Sequence, residues 1–66
     1  MDDDAELIAR LCARAGMMME DVSVLAITMP REAAVRRDTV AKLAASADAI
    51  RLLVQAALAL DQHDRT

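Results

Sequence analysis

Cys12 and His63 are the only thiol and the only imidazole among these 66 residues. Nucleophilic catalysis needs a nucleophile beside a base that a third group holds in place. Cys12 falls on the apolar face of the first expected helix and His63 in a polar tail, so Cys12 is expected as a buried structural thiol. His63 with Asp61 and Asp64 offers one imidazole and two carboxylates to a metal, a sparse set in a fraying tail. Asp2, Asp3 and Asp4 could attract a hard cation, but acids at a helix start are explained more simply as a cap that complements the helix dipole. Gly16 is the only glycine, which excludes a glycine-rich phosphate loop. The residues predict no catalytic, cofactor or metal site, and a protein that is not an enzyme.

Cys12, Gly16, Val22 and Leu25 also occupy the positions a helix-turn-helix demands: a small residue in the first helix, a glycine in the turn and aliphatics in the second helix. The chemistry of that second helix is unsuited to DNA. It presents Met18, Met19, Glu20, Asp21 and Ser23, with no Arg or Lys to neutralise phosphate, the main source of affinity. The net charge of −3 and the absence of aromatic residues speak against single-strand and RNA stacking as well. Nucleic acid is therefore not an expected partner, and a helix-turn-helix regulator is the secondary reading.

Other elements must supply what these residues do not. Hydrophobic residues make up 56% of the chain, but 15 are alanine, which favours helix and buries little area. No Phe, Tyr or Trp is present, so any core comes from Leu, Ile, Val and Met. Leu7, Ile8, Leu11, Cys12 and Ala15 recur at helical spacing, and Gly16 suits the position after a helix end. This predicts a first helix over about 4–15. Residues 17–29 fit both a helical stripe (Val22, Leu25, Ala26, Met29) and a strand face (Val22, Val24, Ala26, Thr28). A lone strand would lack a partner, so the second helix is placed at about 19–28. Pro30 suits the first turn of a third helix, capped by Thr28 or Met29 and running to about Gln62, with Asp38-Thr39 as its weakest point. The tail Gln62-His63-Asp64-Arg65-Thr66 is expected to fray. The fold expected is all-α: a helical hairpin of two short helices against one long one.

Val40, Leu43, Ala47, Ile50, Val54 and Ala57 repeat at spacings of 3 and 4 along the third helix, the period of a packed helical seam. Leu53 and Leu60 flank it on one side and Leu58 on the other, an apolar surface broader than one antiparallel arm covers. One domain this small rarely supports itself without disulfides, metal or oligomerisation, and a single cysteine excludes an internal disulfide. The expectation is a homodimer forming a four-helix-bundle-like assembly, with Val40, Leu43, Ala47, Ile50, Leu53, Val54, Ala57 and Leu60 at its interface. The rival is a monomeric adaptor that docks a larger protein through its Leu/Met surface. The acidic N-terminus does not resemble a signal peptide, and the longest charge-free run, Leu52 to Leu60, is too short to span a bilayer. These features predict a cytoplasmic protein–protein interaction module without a membrane segment.

Overall fold

The computed structural model describes residues 3–65. It is all-helical: α1 covers Asp3–Ile27 and α2 covers Ala33–Arg65. The two pack against each other along a molecule measuring 51 × 15 × 11 Å. At 1.5 Å per residue, α2 alone accounts for about 50 Å, so the long dimension is one helix. The short link 28–32 folds the chain back, and the two arms lie antiparallel. The remaining 15 Å and 11 Å are the breadth and thickness of two helices side by side.

The expected break between residues 15 and 19 does not occur. Gly16 lies inside α1, and no described glycine has a positive φ. The physical reason is register. The less exposed residues of α1 are Asp4, Ile8, Leu11, Ala15, Met18, Val22 and Leu25, at alternating spacings of 4 and 3. That seam crosses Gly16 without a phase change, so packing on both sides favours one helix. A helical glycine costs about 1 kcal/mol relative to alanine, less than a lost seam. Two helices replace the expected three, and the long helix is the second.

What stops α1 is Pro30. The residue before a proline is driven out of the helical region, so Met29 cannot continue the spiral. Thr28 closes the end: its N–H and its Oγ1 both donate to the Val24 carbonyl, at 3.0 and 2.7 Å. Pro30 itself lies in the link rather than in the first turn of the next helix. The first bond of α2 runs from the Arg36 N–H to the Glu32 carbonyl at 2.8 Å, which puts Glu32, not Thr28 or Met29, at the cap position. Arg36 Nη1 donates to the Arg31 carbonyl at 3.1 Å and braces the link. α2 continues through Asp38-Thr39 without a restart and extends to Arg65, past the end expected at Gln62.

The seam of α2 is Thr39, Leu43, Ser46, Ile50, Leu53, Ala57 and Leu60. The expected stripe shares Leu43, Ile50 and Ala57 with it but places the alternate positions one residue later, at Val40, Ala47 and Val54. Thr39 and Ser46 take the inner places because they are small and let the helices approach. Thr39 also hides its polarity: Oγ1 donates to the Val35 carbonyl at 3.0 Å, one turn back.

Among the described residues the most enclosed are Ala15 at 2% exposure, Ala57 at 5% and Thr39 at 8%, and no large side chain is fully buried. Replacing Thr39 with Val keeps the shape and removes a hydroxyl whose acceptor already serves the helix. We expect Thr39→Val to stabilise the hairpin by about 0.5–1 kcal/mol, read as a rise of several degrees in the midpoint of thermal unfolding followed by circular dichroism. A lowered midpoint would mean that the Thr39 hydroxyl serves a partner outside its own helix.

Candidate functional site: an uncharged face

In an antiparallel pair, a two-fold relation perpendicular to the plane of the helices keeps equivalent flanks of both seams on the same broad side. On one side, next to the α1 seam, lie Ala5, Ala9, Cys12, Gly16, Met19, Ser23 and Ala26. Next to the α2 seam on that side lie Val40, Ala44, Ala47, Arg51, Val54 and Leu58. All of these are exposed except the half-buried Gly16. The α1 strip is small apart from Met19, and a side chain built at Gly16 would meet nothing within 4 Å. The α2 strip is bulkier, with Val54 43% and Leu58 54% exposed.

The α2 strip continues in the same register to Arg37 at one end and Asp61 at the other; between them Arg51 is the one charged residue, and its head group is drawn away from the face. Nε and Nη2 donate to Asp48 Oδ1 at 3.3 and 2.8 Å, and Nη1 donates to Gln55 Oε1 at 3.1 Å. Asp48 and Gln55 stand on the outer edge of α2, so the guanidinium leans outward and leaves its alkyl stem in the strip, as long cationic side chains commonly do.

The opposite broad side is mixed. It carries Arg10, Arg14, Asp21, Asp38 and Lys42 among Leu7, Met17, Val24 and Leu52. Lys42 pairs with Asp38 there at 3.5 Å. Arg10 pairs with Glu6, on the outer edge of α1, at 3.0 Å. All of these side chains are largely exposed, so such pairs keep the surface soluble more than they hold the fold.

The expected interface residues divide between the two surfaces. Leu43, Ile50, Leu53, Ala57 and Leu60 line the seam within the chain. Val40, Ala47 and Val54 stand on the uncharged face. The sequence pattern places Leu58 only as a flank of the expected stripe and Cys12 and Ala26 within the α1 stripes, and it does not single out Ala44 or the rest of the α1 strip. The signal was present: both strips repeat at spacings of 3 and 4 beside the true seam, but only a correct seam reveals them.

Cys12 is exposed, which corrects the expectation of a buried thiol. The α1 seam passes through Leu11 and Ala15, and Cys12 sits one residue, about 100°, around the helix. The side chains of Asp2, Asp3, His63 and Asp64 lie outside the described residues. Among the described ones, no three His, Cys, Asp or Glu converge as a metal site, and no turn divides α1 to form a helix-turn-helix.

The helix of Ala33–Gln62 contains a stretch long and apolar enough, by length and composition alone, to cross a membrane. Asp48 and Arg51 would both have to enter the hydrocarbon, which is costly even for a pair. Comparison with known proteins adds no kinship: no family model matches the chain, and neither a curated protein nor a solved structure matches it.

Cys12 reports on whatever covers this face. Its alkylation should be fast in dilute protein and several-fold slower once the face is occupied. A rate independent of protein concentration would show that the face stays open to solvent.

Proposed function

We propose that the chain is a non-enzymatic helical interaction module that self-associates through its uncharged face, two hairpins closing a four-helix bundle. The observation that carries this reading is the absence, among the described residues, of any large, fully buried side chain. A single layer of two helices leaves Leu43, Ile50, Leu53 and Leu60 only half covered, whereas stable domains enclose such residues between two layers.

The surface area supports the same reading. The chain exposes 5140 Å², against about 4,100 Å² for a compact monomer of its mass. The excess of about 1,000 Å² is close to the roughly 800 Å² that each partner contributes to a standard interface. A second copy supplies the missing layer with a matching surface, because a two-fold interface uses the same patch on both partners.

The rival is a monomeric adaptor that docks a larger protein through Leu7, Met17, Val24 and Leu52. Those residues are interspersed with five charges, a poorer basis for a dry interface core. A helix-turn-helix regulator lacks the turn it needs. The proposed compartment is the cytosol, where a lone exposed thiol stays reduced.

Sedimentation equilibrium tests the proposal. A particle of twice 7.1 kDa is expected at micromolar concentration, with a thermal midpoint that rises with concentration. A 7 kDa particle at every concentration refutes it.

Neighbouring substitutions separate the two surfaces. Leu53→Asp puts a charge in the internal seam and should cost the hairpin about 2–4 kcal/mol. Val54→Asp, one residue on, should halve the mass while leaving the helicity of dilute protein close to wild type. If Val54→Asp kept the dimer, the uncharged face would not be the interface.

A further inference from the structure

We infer that the two copies lie antiparallel, with the open end of each hairpin beside the bend of the other. The inference rests on the dimer proposed above and adds its direction. Face-to-face packing of two hairpins allows two two-fold axes. One runs along the helices and sets bend against bend. The other runs across them and sets bend against open end.

Charge decides between these. The bend carries Arg31, Arg36 and Arg37 against Glu32, with none of the three arginines in a salt bridge to an acid. Arg36 is bonded to the Arg31 carbonyl at 3.1 Å, which holds positive charge at the tip. Glu32 at the cap of α2 is the one acid facing the positive end of its dipole, and the first turn adds none. The open end gathers Asp3, Asp4, Glu6, Asp61 and Asp64 against Arg65, and Glu6 is paired with Arg10. Stacking bend on bend brings like charges together at both ends of the bundle. Crossing the copies brings acid to arginine at both ends, the complementarity that fixes orientation in association.

Length points the same way. α2 exceeds α1 by about two turns, so its last turns, with Leu58 exposed and Asp61 near the end, project beyond their own α1. In the crossed arrangement this projection lies along the partner's bend. In the other arrangement the two projections meet each other, acid against acid.

The crossed arrangement also pairs like strips. The small strip of α1 meets its copy around Gly16, where an open space lets two backbones approach. The Val40–Leu58 strip meets its copy alongside.

The test is a distance between bends. Full-length protein carrying Ala34→Cys and Cys12→Ser takes one nitroxide per chain at an exposed position beside the link, and pulsed dipolar spectroscopy reads the separation. With the crossing at Gly16, about 16 Å along the helix from the bend, the crossed dimer predicts about 30–40 Å. It also predicts that 1 M salt weakens the association several-fold by screening the end charges. A separation under about 20 Å in a particle of dimeric mass overturns the antiparallel direction and leaves the dimer standing. No dipolar signal together with monomeric mass overturns both.

Discussion

Two helices have one line of contact, and this structure turns on that limit. A layer 11 Å thick has no inside: a residue on the seam faces its partner helix but meets water on both broad sides. Only residues short enough to vanish between the backbones become fully enclosed, which is why the core is Ala15 and Ala57, with Thr39 beside them. The larger seam residues, Leu43, Ile50, Leu53 and Leu60, are left half covered. Isolated helices are marginal in water and draw most of their stability from packing of an apolar face. A seam of this width gives each helix only part of the cover that a two-layer core would provide.

The two open sides are unlike each other. The described side-chain ion pairs Arg10–Glu6, Lys42–Asp38 and Arg51–Asp48 all engage the mixed side or the outer edges. The other side holds alanine, serine, cysteine, glycine and Met19 over α1, and between Arg37 and Asp61 it holds valine, alanine, leucine and Arg51 over α2. An alanine-rich chain with 29% charged residues has enough charge to place some on both broad sides. Its concentration on one side leaves the opposite side suited to lose water. Arg51 is the informative exception, since Asp48 and Gln55 hold its guanidinium at the edge. The hydrogen bonds keep the charge solvated while the stem adds apolar area.

How much of this was legible in the sequence depended on which interaction decided each feature. Composition and period gave the all-helical class, because alanine, leucine, arginine and glutamate leave little else. The single long α1 was hidden by a local rule: glycine often ends helices, and Gly16 invited that reading, but the register of Ile8, Leu11, Ala15, Met18 and Val22 runs straight across it. Tertiary packing outweighed a propensity of about 1 kcal/mol. Pro30 was read correctly as a breaker, but it acts through Met29 before it, not as the first residue of the next helix.

The one-residue shift of the α2 seam has a more general cause. Choosing the more apolar of two neighbouring stripes favours Val40, Ala47 and Val54 over Thr39, Ser46 and Leu53. Hydrophobicity, however, ranks residues by how much they gain from leaving water, while a tight helix pair first asks which residues fit. Thr39 fits and satisfies its hydroxyl on Val35, so it goes inside, and Val40 is turned out. The apolar stripe read from the sequence therefore belongs in part to a second surface. Val40, Ala47 and Val54 recur every seven residues on that surface and are exposed in the hairpin, the period at which a further helix could pack over them.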